Sequence, residues 1–84
     1  MIRVLYFASL RERLGREAED LELPAGVADV AGLFSQLRAR GGVWAEALGA
    51  GETLLVARNQ EMAGPETGIA DGDEIGIFPP VTGG

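Results

Sequence analysis

The chain has 84 residues and a formal charge of −6, with 13 acidic side chains against seven arginines, and it contains no Cys, no His and no Lys. Those three absences exclude disulfides, metal–thiolate and iron–sulfur ligation, nucleophile–histidine pairs, imidazole acid–base chemistry and lysine Schiff bases. A domain this small builds one core and no deep enclosed active site, and its acidity repels nucleic-acid backbones while favouring a partner with a basic surface.

Residues 2–8 alternate as a strand, with Ile2, Val4, Tyr6 and Ala8 on one face and Arg3, Leu5 and Phe7 on the other. Apolar residues on both faces predict a central strand, or one that meets a partner. Ser9 and Glu12 have the spacing of a capping box, so a short helix is expected over residues 10–14, ended by Gly15 in the left-handed conformation. Ser9 reads as that cap and not as a nucleophile, because the chain holds no His to activate it. Residues 17–23 read as an antiparallel neighbour of the first strand. Leu21 and Leu23 are expected inside, with Glu17, Glu19, Asp20 and Glu22 on a wet edge that resists aggregation. Pro24-Ala25-Gly26 ends it.

The period then changes. Val30, Leu33, Phe34 and Leu37 form the apolar stripe of a helix packed on one side. Asp29 is its expected N-cap, Arg38 and Arg40 fall in its last turn, and Gly41-Gly42 ends it. Gly32 inside this helix costs about 1 kcal/mol relative to Ala, which close helix–sheet packing would explain. Residues 43–48 read as a second helical turn, with Trp44 closing one end of the core. A strand over residues 53–58, a turn at Asn59-Gln60 and a short return over residues 61–63 follow. Asp71-Gly72-Asp73 marks a solvated turn. The carboxylates of Asp71, Asp73 and Glu74 lack the ligand spacing of a calcium loop, so no metal is expected there. The last strand is residues 74–78, with Ile75 and Ile77 inward, and Pro79-Pro80 forbids further pairing.

This order predicts an α+β domain with one main helix on one face of a mixed sheet, the β-grasp (ubiquitin-like) architecture, over residues 1–78. Residues 79–84 are the expected tail. Pro79-Pro80 holds it extended at about 3.1 Å per residue, so Val81, Thr82, Gly83 and Gly84 project roughly 20 Å from the sheet. Two glycines without Cβ atoms suit passage through a narrow channel. They present one reactive group, the Gly84 α-carboxylate, a poor electrophile until a nucleotide-using partner activates it. A frayed, inert end is the competing reading. If Ile2, Val4 and Tyr6 face the helix, then Leu5, Phe7 and Phe78 lie on the uncovered face and Met62 joins them, a candidate partner interface.

Val4-Leu5-Tyr6-Phe7-Ala8, Leu10-Arg11-Glu12, Gly15, Trp44, Val56-Ala57-Arg58-Asn59-Gln60, Asp71-Gly72-Asp73-Glu74-Ile75 and the closing Phe78-Pro79-Pro80-Val81-Thr82-Gly83-Gly84 carry a resemblance over the whole chain. The sequence resembles the small subunits of molybdopterin synthase, the MoaD family of ubiquitin-like sulfur carriers. Gly76 departs from the bulkier small residue usual there, and the loop before the main helix is slightly longer. The resemblance implies that an activating enzyme adenylates Gly84 with ATP and that a persulfide donor turns it into a thiocarboxylate. The tail then enters the large subunit, which supplies the catalytic residues, and sulfur passes to cyclic pyranopterin monophosphate to build the dithiolene of molybdopterin. It further implies a heterotetramer, no cofactor bound to this chain and no activity in isolation. A chain without Cys cannot hold sulfur as a persulfide, which leaves its terminus to carry it. A related carrier for thiamine or tRNA thiolation, a lysine-conjugated modifier, and a non-catalytic β-grasp interaction module stay open. No apolar run is long enough to span a membrane and the N-terminus lacks a signal-peptide layout, so a cytoplasmic location without membrane contact is expected.

Overall fold

The alternation that begins the sequence puts Ile2, Val4 and Tyr6 on one face of β1 (Ile2–Tyr6), where they are 1, 0 and 1% exposed. The computed structural model describes residues 1–49 and 51–80. It continues with α1 (Ala8–Leu14), β2 (Ala18–Leu21), α2 (Val30–Arg38), α3 (Val43–Ala47), β3 (Leu55–Arg58), β4 (Glu61–Ala63) and β5 (Glu74–Phe78). The strands make one sheet in the order β2-β1-β5-β3-β4. β1 and β5 are parallel at its centre, and the other neighbours are antiparallel. A mixed sheet with the main helix on one face is the ubiquitin-like β-grasp. The core lies between sheet and helices: Val4, Tyr6, Ile75, Ile77 and Val56 from the strands meet Leu10, Val30, Leu33, Leu37 and Ala47 from the helices. Each large apolar side chain so buried contributes about 1.5–3 kcal/mol.

α2 starts where expected because every early amide finds an acceptor. The Asp29 side chain accepts from the Gly32 N–H at 2.8 Å. The Val30 and Ala31 amides donate to the carbonyls of Thr67 and Pro65 at 3.1 and 3.0 Å. These bonds satisfy donors that a helix N-terminus leaves free. The reason for Gly32 differs from the expected one. A Cβ there would stand 3.3 Å from Asp29 Oδ1 and 3.4 Å from Val27 Cγ1, so the glycine makes room for the cap and the preceding loop, not for the sheet.

Several boundaries shift. The first strand stops at Tyr6, because the Phe7 amide donates to the Ile77 carbonyl at 3.2 Å while the Phe7 carbonyl accepts from Arg11. Phe7 is therefore the N-cap of α1 and no side chain caps it, so the Ser9–Glu12 box does not form and Ser9 is an exposed residue inside the first turn. Ala8 is exposed, not inward, and turns the chain with φ 54. β2 and β3 are shorter than expected, and α2 ends at Arg38, which leaves Arg40 beyond its last turn. Gly15 ends α1 at φ 67, as the sequence predicts.

Asp73 is not solvated. It is 8% exposed and accepts from Arg58 Nε at 2.8 Å, Asn59 Nδ2 at 3.0 Å and the Ala70 amide at 2.8 Å. The Asn59 side chain also accepts from the Glu74 amide at 2.9 Å, which ties the β3–β4 turn to the start of β5. That turn needs the tie, since Asn59 and Gln60 both have positive φ, at 50 and 70. The Arg58 guanidinium above all, then the Asn59 and Ala70 donors, hold the Asp73 carboxyl at about 2 against an ordinary 3.8. A depressed carboxyl stabilises the fold above its unfolded pKa and loses that contribution as pH falls through the folded value. Thermal melts are therefore expected to drop between about pH 5 and pH 2 in the parent, and Asp73→Asn is expected to flatten that decline at a cost of about 1–2 kcal/mol near neutrality.

Candidate functional site

Because β1 and β5 are parallel neighbours, they end at the same edge of the sheet. Phe7 follows one and Pro79 the other. Their registers align Leu5 with Gly76, Gly76 with Ala57 and Ala57 with Met62, a row across four strands on the face opposite the helices. The next row pairs Phe78 with Leu55. Phe7, Leu55 and Met62 are 44, 36 and 64% exposed, and Leu5 and Phe78 are half-buried. All four residues expected at a partner interface thus share this neighbourhood. Leu55 is an addition: it falls on the same side as Ala57 by the two-residue period of the strand.

Phe7 and Phe78 meet edge to face, with ring centroids 6.3 Å apart. A Cβ on Gly76 would lie 3.2 Å from Phe7 Cε2, so this glycine lets the Phe7 ring lie down over the central strand. Leu5, Phe7, Ala57, Gly76 and Phe78 line a shallow depression there, with Gln60 and Glu74 at its polar side. Pro79 and Pro80 leave from its rim and are themselves half-buried, so the tail begins against the body and not clear of it. Val81, Thr82, Gly83 and Gly84 lie outside the described residues.

The most densely bonded polar cluster is elsewhere, and it includes Glu19, whose charge predicts a place in water. Glu19 shares the helix-side face with Val4 through the β1–β2 register. Its carboxylate accepts from Tyr6 Oη at 2.8 Å, from Arg40 Nη1 and Nη2 at 2.9 and 2.8 Å, and pairs with Arg16 at 2.9 Å. Burial pushes this carboxyl up, but the Arg40 and Tyr6 hydrogen bonds and the two guanidinium charges outweigh it and hold the pKa low. Burial first, and then the bond to Glu19, pushes the Tyr6 phenol well up. Arg40 stacks 4.4 Å from the Trp44 ring, and Trp44 meets Tyr6 edge to face at 5.5 Å. Trp44 closes this end of the core as expected. The cluster clamps β2 to α3. Its phenol and carboxylate are each committed to a partner, which leaves no proton free for catalysis.

Of the acidic residues near the last turn, Asp73 points inward and Asp71 pairs with the Met1 amine. Among the described residues, no group of three or more carboxylates converges to hold a metal ion, and no helix is long and apolar enough to cross a membrane. What the site offers is an apolar, aromatic face beside the exit of a glycine-ended tail.

Residues 4–84 match the ThiS family. The chain is 44% identical to the molybdopterin synthase sulfur carrier subunit of Haemophilus influenzae over 84 residues, covering 100% of both chains. It superimposes on a putative molybdopterin converting factor, subunit 1, from Pyrococcus furiosus with a TM-score of 0.74 at 31% identity, over 95% of this chain and 97% of that one. SAMP1 of Haloferax volcanii, a small archaeal modifier protein, gives a TM-score of 0.75 at 30% identity, over 99% and 98%. From its first core strand through its glycine pair, then, the chain belongs to the ThiS family.

Proposed function

We propose that this chain is the sulfur-carrying subunit of a molybdopterin synthase. The observation that carries the reading is end-to-end identity of 44% with a subunit of that name. The local geometry supports it, since the tail leaves the central strand beside an open aromatic face. The Gly84 carboxylate attacks the α-phosphate of ATP on an activating enzyme and expels pyrophosphate. The terminal sulfur of a persulfide then attacks the acyl carbon and expels AMP, and a thiol reduces the acyl disulfide to the thiocarboxylate. On the large subunit the sulfur attacks an oxygen-bearing carbon of cyclic pyranopterin monophosphate, forming a carbon–sulfur bond as that carbon–oxygen bond breaks and the oxygen leaves with the electron pair. Hydrolysis of the resulting thioester leaves the sulfur on the pterin and returns the carboxylate. Leu5, Phe7, Met62 and Phe78 form the docking face, and Pro79 to Gly83 deliver the terminus.

The test is intact mass spectrometry after incubation with the cognate activating enzyme, ATP and a sulfur donor. Exchange of oxygen for sulfur at Gly84 adds about 16 Da. An unchanged mass despite pyrophosphate release would overturn the carrier reading. The likeness to a small archaeal modifier protein favours a second reading, a protein tag joined through the same terminus. That function produces amide-linked adducts in the same experiment once target proteins are added.

A further inference from the structure

An activated Gly84 acyl group is an electrophile, and amines and thiolates are the side chains that attack it most readily near neutrality. Attack by an amine forms an acyl–nitrogen bond, breaks the acyl–phosphate bond and releases AMP and a proton; attack by a thiolate forms a thioester and releases AMP. This chain offers neither Lys nor Cys, and no His to serve a hydroxyl as base. Its arginines stay protonated and have no lone pair to donate. Tyr6 Oη is buried and bonded to Glu19. Thr67 Oγ1 accepts from the Gly64 amide at 2.9 Å. The hydroxyls of Ser9, Ser35, Thr53 and Thr82 have no imidazole to activate them. The Met1 α-amine is the one amine left, exposed and paired with the exposed carboxylate of Asp71. Since β1 and β5 are parallel, that amine sits at the sheet edge opposite the one from which Pro79 departs.

We infer that the chain is inert toward its own activated terminus, so that loaded copies do not acylate one another and only a nucleophile brought by a partner discharges them. The inference rests on the reading that Gly84 is activated. It bears on both functions above: a sulfur carrier loses no material to self-coupling, and a tag of this sequence does not extend into chains.

The test uses activating enzyme and ATP without a sulfur donor. Hydroxylamine added to a parallel sample reports activation by converting Gly84 to its hydroxamate. The parent protein is expected to give the hydroxamate and to remain at monomer mass when hydroxylamine is left out. Gln36→Lys on α2 and Glu66→Lys in the β4–β5 loop, both at exposed positions, are expected to give amide-linked multimers at the new lysine. Multimers of the parent, whether through Met1 or a hydroxyl, would overturn the inference. So would lysine variants that form the hydroxamate yet stay monomeric. Absence of hydroxamate from every protein counts against activation itself. The same lysine comparison is then made on a Gly84 thioester obtained by intein cleavage, where the same two outcomes decide.

Discussion

Removal of Gly84 is expected to lower sulfur loading and transfer by at least about 100-fold, since an error of about 1 Å in the placement of reacting groups already costs that much. The deletion moves the terminal carboxyl back by roughly 3.3 Å of extended chain. It leaves an equally acidic carboxylate on Gly83, so a loss of function would be one of position and not of chemical type. The core is made by residues from Ile2 to Ile77, and the last core strand ends at Phe78. The melting temperature is therefore expected to stay within about 2 °C of the parent. Single-turnover sulfur transfer, run alongside thermal unfolding, checks both halves. Undiminished transfer by the truncated protein would show that the terminal glycine is not the working part. A matched fall in melting temperature would instead make its role structural.

Features governed by short-range periodicity were legible. Val30, Leu33 and Leu37 have the helical spacing of one face and are buried on it, and Asp29 caps the helix because its backbone is extended just before the first turn. The turn at Asn59-Gln60 and the strand Glu74–Phe78 followed from Asn's tolerance of positive φ and from alternation. What failed depended on partners distant in sequence. Ser9 has capping spacing, but the Phe7 amide is drawn into the sheet by Ile77, which sets the helix start two residues earlier. The charge of Glu19 predicts a solvent-facing side chain. Its parity with Leu21 and Leu23 already placed it inward, and Arg40, 21 residues away, makes that position tolerable. Asp73 likewise looked like a wet turn residue until Arg58 and Asn59 were brought beside it by the β3–β5 pairing. In both places a distant arginine reverses the ordinary preference of a carboxylate for water. The open face was legible for the opposite reason: once the helix side of β1 and β5 was fixed by alternation, Leu5, Phe7 and Phe78 had to lie near the other.

On that face, Phe7→Ala is expected to weaken binding of the large synthase subunit by about 30-fold or more, the loss of about 2 kcal/mol typical of a buried aromatic anchor. The magnitude follows from how the ring is already packed. Phe7 is 44% exposed in the free protein. Covering that remainder of an aromatic side chain removes roughly 90 Å² from water, about 2 kcal/mol. The covered part, set against Gly76 and Phe78, is roughly 110 Å² and by the same measure contributes about 2–3 kcal/mol to the fold. Truncation should therefore show in stability as well as in affinity, so binding is compared well below the melting temperature of the variant. Gly76→Ala separates the ring's presence from its position. It keeps Phe7, but its new Cβ, 3.2 Å from Phe7 Cε2, pushes the ring off the strand by a few tenths of an ångström. If the partner reads the flat Phe7–Phe78 pair, this substitution also weakens binding, though less than removal of the ring. Calorimetric titration of both variants against the large subunit, beside their thermal melts, measures each effect. An unchanged Kd for Phe7→Ala would move the docking surface off this face, and the apolar row from Leu5 to Met62 would then need another occupant.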